Sequence, residues 1–528
     1  MSSDAPRRRR RRILLGLAAA VLLLVGGAAA FLATRGGDVS NPDVEFRAEP
    51  TPTPVTKEKD SPREVDTFAW PMYGFTKDRR RFLPASKSLR PPFRQRWKFI
   101  SSALLEFPPV IARNSLYVLN DDGVLYAITK RTGHVRWKRK LGALAAASPA
   151  VAHGRVFVTL LSRRPGGHRG RAVALSASSG KILWSRDLPS RSESSPLLDG
   201  GYLYFGSENG TVYALRATNG SVRWTFRARG AVKSAVALAD GRIFFGDYAG
   251  KLYALRQRDG RKLWEASTQG ARFGFAAGRF YSTPAVAYGR VYIGNVDSYV
   301  YSFSARTGQL AWRHKTSGYV YSSPAVGQAP GDRPTVYVGS YDGNFYALDA
   351  RTGAERWSHD ARGKISGGPT LLGDIVYFAD LGNRRTIGLG ARTGRKVFEF
   401  PRGGYNPVVS DGRTIFLVGY ATMHALRPLS AQTRANRAKR RRQAERRRRA
   451  ARRAAERRDA RLQARCRRRA ERLHDRRGPM VRSFRRCVRR DRARASRRAC
   501  RRRAVRAHKG KPRAVRRSVR RCVARKRR

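Results

Sequence analysis

Short apolar runs recur along the middle of the chain, each alternating large and small residues and each closed by Gly, Asp-Gly or Thr-Gly. Residues 321–360 hold four of them: "SPAV", "TVYVGS", "NFYALDA" and "AERWSHD". Two-residue alternation with tight-turn punctuation predicts four antiparallel strands, not helix. The pattern then repeats. An aromatic residue ends each copy, at Trp97, Trp137, Trp184, Trp224, Trp264, Trp312, Trp357 and Phe398, with spacings of 40, 47, 40, 40, 48, 45 and 41 residues. In the seven copies from Trp137 on, an apolar residue precedes the aromatic by nine positions and a Gly by four, as Leu348 and Gly353 precede Trp357. A four-stranded unit at this period predicts an all-β propeller, with the aromatics covering the seams between blades.

The ends of the repeat set the blade number. Residues 405–428, "YNPVVSDGRTIFLVGYATMHALRP", supply three strands without a Trp, and "PPFRQRWKFIS" supplies one outer strand with Trp97 and no inner ones. Together they predict a composite eighth blade that closes the ring. The expected organisation is a basic N-terminus at 1–12, a transmembrane helix at 13–33, a Pro/Thr-rich linker at 34–66 reading as an extended tether, the propeller at 67–428, a basic helix or disordered segment at 429–465, and tandem Cys-containing helical hairpins at 466–528.

The apolar run at 13–33 follows six arginines, so it reads as a signal anchor that leaves the rest of the chain extracytoplasmic; a cleaved signal peptide with Ala28-Ala29-Ala30 as its site gives secretion instead. No cysteine lies near it, which excludes a lipid-anchored cysteine. All four cysteines, Cys466, Cys487, Cys500 and Cys522, lie in the tail. "CRRRAERLHDRRGPMVRSFRRCV" and "CRRRAVRAHKGKPRAVRRSVRRCV" are a tandem duplication, which favours Cys466–Cys487 and Cys500–Cys522 among the three pairings four cysteines allow.

Charge changes the picture of partners. The chain carries +74 formally, and residues 429–528 hold 46 Lys and Arg against 6 Asp and Glu. Such a tail binds polyanions: anionic envelope polymers, lipids or nucleic acid.

Candidate site residues follow from the ring. A Pro often marks the start of each inner strand, with Ala235 in the odd copy. The residues three positions earlier face the channel mouth: Glu106, Ala146, Glu193, Val232, Tyr281, Tyr321, Ser366 and Gly404, with Lys233, Lys364 and Tyr405 beside them. We take Glu106, Glu193, Lys233, Tyr281, Tyr321, Ser366 and Tyr405 as a candidate ligand-binding mouth. No catalytic set and no metal-ligand spacing stands out among the histidines.

Ala347, Asp349, Thr352, Gly353 and Trp357 fit A-x-D-x-x-T-G-x-x-x-W in full, and with "WPMYG" at 70–74 the chain over about 68–428 resembles the PQQ-like repeat propellers: quinoprotein dehydrogenases and BamB-like assembly propellers. The dehydrogenase resemblance implies pyrroloquinoline quinone, calcium held by Glu and Asn, an Asp base and a pair of adjacent cysteines; this propeller contains no cysteine. The BamB-like resemblance implies a lipoprotein that holds partners on loops at one face. The expectation is a membrane-anchored, non-catalytic binding scaffold of the cell envelope without a cofactor, holding a protein or small ligand. The alternatives are a PQQ- and calcium-dependent oxidoreductase, and an extracellular nucleic-acid binder acting through the tail.

Overall fold

The computed structural model describes residues 37–49, 68–84, 89–268, 278–405, 408–473, 477–507 and 512–525. The chain forms two compact units, Met1–Leu429 and Ser430–Arg528. The first is an eight-bladed propeller. Seven blades run in sequence order: blade 1 at 110–140, blade 2 at 150–187, blade 3 at 197–227, blade 4 at 237–267, blade 5 at 285–315, blade 6 at 325–360 and blade 7 at 370–400. Blade 8 takes three strands from 409–428 and its outer strand from Phe93–Ile100, which pairs antiparallel with Thr422–Pro428.

The repeated phrase is explained at the seams. Ala347 lies directly across from Trp357, and a bulge follows between Ala347 and Leu348. A small residue faces the aromatic in each blade, including Ala127 opposite Trp137 and Gly388 opposite Phe398. That space lets the indole lean over the next blade, where Trp312 Nε1 donates to Ala350 O at 3.0 Å. The ring then covers the next blade's turn glycine: a Cβ on Gly353, at φ +78°, would lie 2.7 Å from Trp312. Each Gly therefore belongs to two demands, a left-handed backbone and a neighbour's indole. Burial of these aromatics differs around the ring. Trp312 is 0% exposed and Trp224 8%, whereas Trp97, Trp137, Trp184, Trp264 and Trp357 are only partly buried, because their other face borders solvent.

Trp312 differs because residues 37–49 cover it. The reading of 34–66 as a tether free of the core is corrected over this stretch. Val39–Ser40 adds a fifth strand to blade 5, opposite Arg313 and Trp312, and Val44 is buried. Residues 13–33 and 50–66 lie outside the described residues; among the described residues no helix is long and apolar enough to cross a membrane.

Residues 68–84 run along the inner ends of the blades. They circle the channel, accepting backbone hydrogen bonds from one innermost strand after another: Val151 N to Pro71 O, Leu238 N to Lys77 O, Val286 N to Asp78 O, Val326 N to Arg80 O and Leu371 N to Arg81 O. Phe82–Leu83 then pairs in parallel with Thr370–Leu372. The basic run "RRR" at 79–81 is not a surface feature. Arg79 and Arg81 are buried at 0% and 1% exposure, and Arg79 donates to the carbonyls of Tyr73, Val236 (2.9 Å) and Ser195 (3.2 Å). With carbonyls in place of a carboxylate, burial and then Arg81 hold the Arg79 guanidinium down at about 9.

The second unit comprises α1 (Ala431–Leu473), α2 (Arg477–Ala507) and α3 (Pro512–Arg525). Cys466–Cys487 joins α1 to α2 and Cys500–Cys522 joins α2 to α3, the pairing the duplication favours. The two hairpins share α2, so the unit is a zigzag of three helices. Arg492 Nη2 meets Asp459 at 2.6 Å across α1 and α2, and Glu–Arg pairs four apart, such as Glu445–Arg449, relieve some repulsion along α1. Residues 474–476 and 508–511, with His474 and His508, lie outside the described residues.

Candidate functional site

Each innermost strand is preceded, four residues before its start, by one side chain at the channel mouth: Glu106, Ala146, Glu193, Lys233, Tyr281, Tyr321, Ser366 and Tyr405. This corrects the sequence alignment in two blades. Lys233, not Val232, holds the position in blade 4, and Tyr405, not Gly404, holds it in blade 8. The slip has one cause: "VKSAVAL" lacks the Pro that marks the other copies, and Pro407 stands one residue early. Pro407 itself lies outside the described residues.

All seven candidate residues, Glu106, Glu193, Lys233, Tyr281, Tyr321, Ser366 and Tyr405, line one cavity of about 560 Å³ counted out to its open mouth. Tyr73, from the segment that circles the channel, also lines it, as do Ser195, Thr283, Ser323 and the Gly367-Gly368 pair. The floor below is packed: the Arg81 guanidinium lies 4.7 Å from the Tyr73 ring centre, and a Cβ on Gly368 would come within 3.0 Å of Arg81 Nε. Tyr73 and Arg81 thus pack at the floor of the cavity, whose mouth lies where the innermost strands begin.

Its charges are largely paired. Lys233 Nζ reaches Glu193 Oε1 at 2.7 Å and Glu208 Oε1 at 2.8 Å, and Tyr281 donates its hydroxyl to Glu193 Oε2 at 3.0 Å. Burial disfavours the Lys233 cation, but the two carboxylates outweigh it and raise its pKa. Glu208 is lowered, Lys233 overcoming its partial burial, while the deeper Glu193 is raised by its own. Across the mouth, burial, then Asp121 and Glu193, push Glu106 up to about 7; burial and Asp122 push Asp121 to about 6. Glu106 therefore carries a proton over part of the neutral range, and the cavity offers a carboxylic acid beside an ion triad.

Tyrosines form the rim. Tyr281 and Tyr321 meet edge to face with centroids 5.5 Å apart, and Tyr321 meets Tyr341 at 4.8 Å. Cations cap the outer faces: Lys233 and Arg279 each lie 5.6 Å from the Tyr248 centroid, and Lys364 lies 5.5 Å from that of Tyr341. The sequence reading missed Glu208, Tyr248 and Tyr341. They share a signal with Asp121, for each stands two residues before the Gly that opens the third strand of its blade, and each donates its backbone N–H to the preceding connection, as Tyr248 N does to Ala231 O. The turn aspartates behave as turn chemistry predicts: Asp247 accepts from the N–H groups of Ala249 and Lys251.

A closed ring of eight four-stranded blades around a tyrosine-rimmed channel defines a repeat β-propeller. The family described as outer membrane protein assembly factor BamB matches residues 93–163, 159–298 and 296–461, and the chain belongs to that PQQ-like propeller family. It is 30% identical over 103 residues to outer membrane protein assembly factor BamB of Yersinia pestis, a match that spans 19% of this chain and only 24% of the relative. Among solved structures, quinohemoprotein alcohol dehydrogenase ADHIIG from Pseudomonas putida HK5 is similar at TM-score 0.60 and 14% identity, over 68% of this chain and 80% of the other. BamB from Moraxella catarrhalis is similar at 0.52 and 16%, over 64% of this chain and all of the other. At these identities the likeness is one of fold.

Proposed function

We propose that the protein is an envelope binding scaffold, anchored by residues 13–33, whose propeller holds a protein segment or small ligand at the tyrosine-rimmed mouth while the arginine-rich helices grip an anionic polymer or lipid. One observation carries the reading: the ion triad at the mouth, Glu193, Lys233 and Glu208, is engaged within itself. Glu193 has Lys233 on one oxygen and Tyr281 on the other, so it is not arranged as a free base or a cation ligand. Aromatic edges and faces with a few fixed polar groups suit recognition.

The rival reading is a PQQ- and calcium-dependent oxidoreductase. Calcium takes six to eight oxygens, whereas among the described residues the one group of three metal-capable side chains is Cys466, Cys487 and Asp491, whose cysteines are bonded to each other. At the channel mouth, two carboxylates that could serve a cation, Glu193 and Glu208, are already held by Lys233.

The test has two arms. Calcium and PQQ are titrated into the full chain, followed by dye-linked oxidation of alcohols and sugars; saturable binding with turnover overturns the scaffold reading. A photo-crosslinker at Tyr319, which is 52% exposed on the rim, is then used in the native envelope. A discrete adduct lost in a Tyr321→Ala, Tyr281→Ala variant supports the proposal; unchanged labelling overturns the rim as the binding surface. For the tail, binding to an anionic polymer should weaken steeply with salt, in proportion to the number of charges engaged.

A further inference from the structure

Residues 37–49 form a latch that runs from the outer edge of blade 5 inward to the channel axis. At the edge, Lys315 N donates to Asp38 Oδ1 at 2.7 Å, Arg313 Nε to Gly37 O at 3.2 Å, and Asn41 N to Ala311 O at 2.7 Å. Further in, the buried Arg290 guanidinium donates to the carbonyls of Val44 and Glu45, and Phe46 stacks on Tyr288 with centroids 5.4 Å apart. At the axis, Glu49 accepts from Tyr288 N at 2.7 Å and pairs with Arg80 at 2.6 Å. The latch crosses the turns at Tyr288–Gly289 and Ala305–Arg306, which lie at the ends of the blade opposite the cavity mouth.

The latch fixes where the chain must come from. Only Thr34, Arg35 and Gly36 separate Ala33, the last residue of the apolar run, from Gly37 on the blade 5 edge. Even fully extended, that connection reaches only ~14 Å. A 33-residue tether would let the propeller tumble; a three-residue one keeps the blade 5 edge within that reach of the apolar run. We infer that the latch holds the propeller edge-on to the bilayer, with the outer rim of blade 5 against the lipid headgroups and blade 1, across the ring, farthest away. The cavity then opens along the membrane plane, toward neighbours in the same membrane, and is neither pressed onto the lipid nor aimed away from it. This rests on the reading of 13–33 as an uncleaved anchor.

The experiment separates the two. The full chain is placed in neutral phosphatidylcholine vesicles at high salt, so that the basic tail is not drawn to the surface. Gln309→Cys in blade 5 and His134→Cys in blade 1 occupy the same exposed turn position of their blades, and the four native cysteines are in disulfides. Each is labelled with a donor fluorophore against an acceptor on the lipid headgroup. Flotation and intact mass first test the anchor. Protein that floats with residues 13–33 retained and transfers energy several-fold more strongly from 309 than from 134 supports the inference, as does loss of that contrast in an Asn41→Pro, Glu49→Ala variant that still floats. Equal transfer from both sites in floating protein overturns the edge-on placement while the anchor stands. Protein that does not float, or that has lost 13–33, overturns the anchor reading and the inference with it.

Discussion

Replacing Gly353 with Ala tests the account of the seams. Gly353 has φ +78°, and a Cβ there would meet the Trp312 ring at 2.7 Å. Gly154, in the turn between the first two strands of blade 2, has a similar φ of +71° but nothing within 4 Å of the same Cβ. Ala at Gly154 therefore costs only the left-handed backbone, about 1–2 kcal/mol. Ala at Gly353 costs that plus the displacement of a fully buried indole, about 1–3 kcal/mol more. Both variants and the native chain are compared by urea denaturation followed by near-ultraviolet dichroism. Gly353→Ala is expected to lower the midpoint about twice as far as Gly154→Ala. A double-mutant cycle sharpens the test: Trp312→Ala alone costs about 3–5 kcal/mol, but in that background Gly353→Ala should cost no more than Gly154→Ala. Equal shifts for the two glycines, or a full Gly353 penalty without Trp312, would refute the dual role of the turn.

Other consequences are measurable. Glu106 is raised from its ordinary 4.5 to about 7, so its contribution is fully present below pH 4.5 and is lost as pH rises through 7, a change on the order of 3 kcal/mol; thermal melts of Glu106→Gln should show a shallower decline across that window than the native chain. Arg79→Met leaves three buried carbonyls without their donor and is expected to destabilise by about 3 kcal/mol or more, read as a fall in urea midpoint with the helical tail unaffected. Reducing Cys466–Cys487 and Cys500–Cys522, which close loops 21 and 22 residues apart, removes about 3 kcal/mol from each hairpin; limited proteolysis should then cut within 430–525 while the propeller fragment persists.

Much of this was legible because the repeat states one arrangement many times. Thr-Gly turns, small residues facing the aromatics and the missing Trp of the last copy lead directly to blades and a composite closure. The channel mouth was legible to within one residue, and it slipped only where a Pro was absent or displaced. Single-copy features were not legible. Nothing in "RRRF" distinguishes an arginine that carbonyls surround from one in solvent, since its partners at 195 and 236 lie more than a hundred residues away. Val39, Val44 and Phe46 are spaced too widely among Pro, Asp and Glu to show a strand pattern, so the latch appears only once blade 5 offers an open edge. The disulfide pairing was legible because the duplication repeats its own answer.

The composite eighth blade also bears on how the chain comes into being. Phe93–Ile100 waits for Thr422–Pro428 before it can pair, some 320 residues later in synthesis. During synthesis from the N-terminus, blade 1 therefore emerges with one flank bare, and each new blade passes the exposed flank along. Only the arrival of the last strands seals both ends at once. Such long-range closure is slow and leaves apolar sheet faces open to wrong partners, so a chain stalled short of residue 422 is the species most prone to aggregate and most in need of a holding chaperone.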